Sequence, residues 1–254
     1  MNDPYVVALI YRVTHSEGTN FDEAEPLEFE TSQFSVRVEN GTARFALKED
    51  HSDVTEARSS IEPFIHMWEM WDALNPELSG FGLEYSTSEV VDRNPPPYNY
   101  GHLVLPGIRI STHVVKNSGR LYYPEPPTEQ AAMNADIEVM AYRHWLYRQN
   151  RDTLAAMAYF CLTVLENSTG CLTNKRKHAA MQYYVDPKVL NELGDLTNSK
   201  GGRNARKGRG VEQDFAPSEQ MWIELTIKRL IRRAADVVHS PNRKLPIITM
   251  DEQL

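Results

Sequence analysis

Hydrophobic and polar positions change their period along this chain, and the change divides it. Around Asn40-Gly41 the alternation is strictly two-residue. Asn-Gly is the preferred type I′ hairpin turn, and a two-residue loop there pairs Val38 with Ala43, Val36 with Phe45 and Phe34 with Leu47. These six apolar residues fall on one face, and Ser35, Arg37, Glu39, Thr42 and Arg44 on the other, as a half-buried hairpin requires. Residues 5–13 and 81–91 are rich in Val, Ile and Tyr and predict two further strands. Residues 17–25 are an acidic loop, 94–97 an extended polyproline-like segment, and 103–115 supply one or two more strands. A single amphipathic helix interrupts this half. Ser60 is its expected cap, Ile61, Phe64, Ile65, Trp68, Trp71 and Leu74 form its stripe, and Asn75-Pro76 ends it; residues 53–58 are a separate turn or a kinked extension.

After residues 123–127, a stiff Tyr-Pro-Glu-Pro-Pro linker, the period becomes helical. Residues 128–149 carry a stripe of Ile137, Met140, Ala141, Trp145 and Leu146. Residues 153–165 are apolar on every side except at Thr163, which predicts the buried central helix of a bundle. About a dozen residues are too few to cross a bilayer. A third helix is expected over 174–184, and a fourth opens at Asp186-Pro187 and stops at Gly194. Residues 217–239 predict a long amphipathic helix with Ile223, Ile227, Leu230, Ala234 and Val238 inward and Lys228, Arg229, Arg232, Arg233 and Asp236 outward. The fold class expected is α+β: a β-rich module with one main helix over 1–127, then a helical bundle over 128–254.

Charge sharpens the division. Residues 1–127 hold 9 Lys and Arg against 20 Asp and Glu, and residues 128–254 hold 18 against 15, so local charges of −11 and +3 make up the net −8. The two cysteines, Cys161 and Cys171, form no disulfide framework and no metal clip. The N-terminal residues lack a basic region and a cleavage site, and no apolar run reaches 18 residues, so the expectation is a cytoplasmic protein without membrane association.

Candidate chemistry is sparse. No HExxH, GxSxG, EF-hand or dinucleotide glycine pattern occurs, and residues 201–208 have the wrong spacing for a phosphate loop. Glu62, His66 and Glu69 share one helix face and are weighed as metal ligands against a solvated helix side; the solvated reading is preferred, and neither metal nor cofactor is expected. Residues 175–194 mimic a helix–turn–helix, but the second helix offers base edges only Lys188 and the more distant Asn191. The basic run Lys200, Arg203, Arg206, Lys207 and Arg209 contains no acid and, with Arg232, is the candidate surface for an anionic partner.

The hydrophobic early helix and the long basic last helix make residues 128–240 resemble HEPN-type helical domains of bacterial defence and toxin proteins. The stretches MAYFCLTVLE and VLNELGDLTNSKGG resemble a bacterial protein family with no assigned activity. Catalytic HEPN domains carry Arg, then four to six residues, then His; Arg233 and His239 meet that spacing, and the resemblance implies a metal-independent ribonuclease using them. The preferred expectation is instead a non-catalytic bacterial interaction protein, a defence or stress component that binds a protein partner, a second copy or RNA through its basic C-terminal surface. A DNA-binding regulator is the remaining alternative.

Overall fold

The computed structural model describes residues 3–15, 19–21, 23–75, 80–94, 118–119, 122–200 and 214–250. The chain forms two compact units, one of Met1–Glu69 with Leu78–Glu125 and one of Met70–Glu77 with Pro126–Leu254. The fold is α+β, with an antiparallel sheet first and helices after it.

In the first unit the strands are β1 (Pro4–Thr14), β2 (Thr19–Asn20), β3 (Leu27–Glu30), β4 (Phe34–Glu39), β5 (Thr42–His51), β6 (Gly82–Asp92) and β7 (Ser118–Gly119). Five of them form one sheet in the order β3-β4-β5-β1-β6, and β2 pairs with β7 in parallel. The β4–β5 register places Phe34, Val36 and Val38 opposite Leu47, Phe45 and Ala43, as the alternation predicts. The turn residues Asn40 and Gly41 both have positive φ, the geometry for which Asn-Gly is chosen. Across β1, Leu9 faces Phe45 and Tyr11 faces Ala43, so one sheet face is continuously apolar.

Helix α1 (Val54–Asp72) covers that face. It begins earlier than Ser60: Asp53 accepts the Glu56 N–H at 2.9 Å, and residues 54–58 are continuous with the rest. Pro63 lies inside the helix, where it removes one backbone donor but breaks nothing. Aromatic rings hold helix and sheet together. Phe34 packs on Phe64 at 5.2 Å, Phe29 on Trp68 at 5.3 Å, and Trp68 on Phe81 at 4.9 Å between centroids. The fully buried Trp68 indole donates to the Pro124 carbonyl at 3.1 Å, so its polar end is satisfied. The opposite sheet face is a ladder of ion pairs, among them Arg37 with Glu28 and Arg44 with Glu89. The strands expected within 103–115 and the prolines of 95–97 lie outside the described residues.

The second unit contains α2 (Glu129–Ala132), α3 (Ala135–Arg148), α4 (Leu154–Ser168), α5 (Lys175–Gln182), α6 (Pro187–Ser199) and α7 (Pro217–His239). The helix expected over 128–149 is two, because the Asn134 side chain caps a new start by accepting from Asp136 and Ile137 N–H. Helix α4 touches α3, α5, α6 and α7 and is the hub of the bundle. It is not buried all round: Leu154, Met157, Ala158, Cys161, Leu162 and Leu165 are buried, whereas Tyr159, Phe160 and Val164 are half-buried. Cys161 acts as a small hydrophobe, with burial pushing its thiol up to about 12. Gly194 does not end α6. It lies inside that helix, where an added Cβ would stand 2.8 Å from the Arg176 guanidinium, so glycine serves close approach there. Among the described residues no helix is long and apolar enough to cross a membrane.

Candidate functional site: a basic face on the helical unit

Helix α7 places its charges differently from a simple amphipathic reading. Arg232 is exposed, but Lys228 and Arg233 are buried, at 6% and 9% exposure. The outward assignment of those two residues is therefore corrected. For Lys228 the reason is length, since a four-carbon stem can run along apolar neighbours with only its head near water. Burial lowers the Lys228 pKa, Arg148 and Arg232 lower it further, and Glu224 opposes them. Three cations thus gather between the end of α3 and the middle of α7, and among the described residues none of them makes an ion pair. Glu224, the nearby carboxylate, accepts a hydrogen bond from Tyr147 and helps to hold that phenol's pKa up, after burial.

His144 sits behind this cluster. It is fully buried, and neither ring nitrogen has a hydrogen-bond partner. Burial, then Lys228 and Arg148, lower its pKa to about 3, so the ring is neutral. One helical step away, Tyr142 and Trp145 stack at 6.0 Å with 17° between their planes, and Tyr142 is exposed. Tyr142, Trp145 and Arg148 follow one another along α3 at three-residue spacing, so an aromatic surface adjoins the cationic one.

Arg233 has a different task. Its guanidinium donates to the carbonyls of Tyr183, Tyr184 and Pro246 at 3.3, 3.1 and 2.6 Å. It ties the α5–α6 turn, where Tyr184 holds a positive φ of 52°, to the C-terminal segment that bridges Val185 to Ile248. His239 is exposed, with Nδ1 3.4 Å from Gln130 Oε1. Six helical positions turn through about 600°, so the two side chains leave α7 on sides about 120° apart. Arg233 is thus engaged on backbone carbonyls and His239 stands apart from it on another side of α7.

A scan of protein-family models, a search of curated proteins and a search of solved structures gave no match. The site therefore rests on its own geometry.

Lys200 is half-buried and pairs with Glu219 at 2.6 Å. Arg203, Arg206, Lys207 and Arg209 lie outside the described residues. In α6 the exposed positions carry Lys188 and Asn191 but also Glu192 and Asp195, an acidic balance poorly suited to a duplex. Among the described residues no group of His, Cys, Asp or Glu is placed to hold a metal, and Glu62 is engaged by Arg58 and Glu69 by the Leu83 N–H. The sequence pattern does not point to Arg148, Tyr142 and Trp145. Their one signal is the charged end of α3, which reads alone as a favourable helix-dipole residue.

Proposed function

We propose that the protein is a non-catalytic interaction protein whose helical unit binds single-stranded RNA. The observation that carries this reading is the gathering of Arg148, Lys228 and Arg232, which among the described residues make no ion pair and share a single nearby carboxylate, Glu224, already bonded to Tyr147. Like charges held together cost stability, and an incoming phosphate would relieve them. The Tyr142–Trp145 stack beside them, with Tyr142 exposed and Trp145 half-buried, favours RNA over an acidic protein, because bases stack on aromatic rings while phosphates meet cations. Between α6 and α7 the sequence adds Arg203, Arg206, Lys207 and Arg209 to the same proposal.

Fluorescence anisotropy with a labelled single-stranded oligonucleotide over a salt series tests it. Arg148→Ser with Arg232→Ser should weaken binding and reduce the salt slope by about 1.4, at roughly 0.7 for each phosphate no longer neutralised. Wild-type protein with no salt-sensitive affinity for RNA would end this reading.

A further inference from the structure

A second candidate site lies wholly in the first unit, where α1 meets the β6 edge of the sheet. The cleft there has a volume of about 530 Å³, and Tyr11, Arg58, Glu62, His66, Glu69 and Tyr85 line it. The β1–β6 register sets Tyr11 opposite Tyr85, so both rings rise from the face that α1 covers. Glu62, His66 and Glu69 occupy positions i, i+4 and i+7 of α1 and share one face, the outer two about 10.5 Å apart along the axis.

One end of the cleft already contains a cation. The Arg58 guanidinium lies 4.6 Å from the Tyr85 ring centroid and 2.5 Å from Glu62. Beside it stands the Tyr11 hydroxyl, in a residue only 3% exposed, with the Arg58 guanidinium against it. Ring, carboxylate and phenol thus make a cage in which Arg58 is a tethered occupant. The Arg58–Glu62 pair is half-exposed at the mouth of the cleft, so a soluble cation can reach Glu62 and compete with the guanidinium for it. The other end holds Glu69, whose Oε1 accepts from Leu83 N–H at 2.9 Å and whose Oε2 is 3.7 Å from His66 Nδ1, with no Lys or Arg against it among the described residues. Burial raises the pKa of this carboxyl, and a cation beside it would reverse that. Ile65 and Leu83 supply apolar wall between the two ends.

We propose that this cleft binds a linear polyamine. One terminal ammonium replaces the Arg58 guanidinium against Tyr85 and Glu62, the other meets Glu69, and the methylene chain lies along Ile65 and Leu83. The acidic excess of residues 1–127 draws such polycations toward the unit.

Calorimetric titration of the full chain at fixed ionic strength tests this with spermidine, octamethylenediamine and putrescine. The last two carry equal charge, but only the longer one spans about 10 Å, comparable to the Glu62–Glu69 rise. The expected result is one site per chain, with octamethylenediamine at least about tenfold tighter than putrescine. Glu62→Gln and Glu69→Gln should each weaken spermidine by about tenfold, while Glu28→Gln on the other sheet face should change nothing. Glu62→Gln keeps the test valid if loss of the Glu69 carboxylate disturbs β6. Affinity independent of chain length, or an equal loss from Glu28→Gln, would show a diffuse acidic field and overturn the proposal. So would tighter binding of an acetylated Lys-Ala-Lys peptide than of spermidine, since lysine side chains would then be the ligand.

Discussion

Glu69 Oε1 accepts a hydrogen bond from the backbone N–H of Leu83 at 2.9 Å, so a side chain of α1 closes the first outward-facing donor of the edge strand β6. Edge strands present unpaired backbone groups to any passing strand, and a carboxylate on the first of them blunts that hazard. The arrangement has a cost. Burial raises the Glu69 pKa, and neither the Leu83 bond nor His66 brings it back to 4.5.

The cost is measurable as a pH dependence. Just above pH 4.5 the folded chain keeps a proton on Glu69 that the unfolded chain has released, so stability falls as pH rises through this window. Glu69→Gln keeps an acceptor for Leu83 and has no proton to lose. Urea midpoints across the window should decline for wild type and decline less for the variant; parallel curves would remove Glu69 as the cause.

The hairpin supplies a stability test with an internal control. Val36 is 3% exposed and opposite Phe45, so Val36→Asp buries a charge without a partner and should cost several kcal/mol, on the order of 3–5. Arg37 is the next residue but faces solvent, and Arg37→Gln should leave the melting temperature nearly unchanged. Equal losses in the two variants would contradict the register.

That hairpin is legible in the sequence because two local signals coincide, the Asn-Gly turn and a period of two. Lys228 and Arg233 are not legible, for a physical reason. A helical stripe tells which face is apolar, but not whether a long cationic side chain near its margin folds back over that face. Arg233 binds carbonyls about 50 and 13 positions away, and no local pattern encodes such partners. Gly194 misleads in the same way. Glycine signals a helix stop, yet here it makes room for Arg176, which is itself held by Glu166 at 2.7 Å. The candidate site is visible in the sequence only as an excess of charge, because its members come from α3 and α7.

His144 should set part of the acid limb of the stability curve. Its folded pKa of about 3 lies well below the ordinary 6.5, so its contribution is complete above pH 6.5 and is lost as pH falls toward 3. The loss is on the order of 4–5 kcal/mol if the ring stays buried throughout. His144→Leu removes the proton site and both unpartnered nitrogens, and should flatten denaturation midpoints between pH 6.5 and 4. An unchanged acid limb would show that the ring opens to water before it titrates.

Arg233 and His239 separate a structural role from a catalytic one. Arg233→Ala takes this donor from the Tyr183, Tyr184 and Pro246 carbonyls, of which Tyr184 keeps the Ile248 N–H at 2.9 Å, and weakens the tie between the α5–α6 turn and residues 246–248. The expected cost is about 3 kcal/mol, whereas the exposed His239→Ala should cost under about 0.5. Circular dichroism melts give both numbers. Metal-independent RNA cleavage that disappears in His239→Ala, with stability intact, would favour the ribonuclease alternative over the binding reading.

Lys228 offers a test in which stability and function should move in opposite directions. Burial, then Arg148 and Arg232, lower its pKa against the opposing pull of Glu224, so the charged form is less favourable folded than unfolded at neutral pH. Lys228→Met keeps an unbranched apolar stem and removes the charge. If the lysine serves packing alone, the variant is equally or more stable and RNA affinity does not change. If it belongs to a binding face, the variant should gain up to about 1 kcal/mol while its RNA affinity falls about three- to tenfold and its salt slope shrinks by about 0.7. A residue retained against its own stability cost, and needed only when RNA is present, is the signature expected of this face. Stability that falls together with affinity would mean that Lys228 supports the bundle, and the proposed face would then lose its central member.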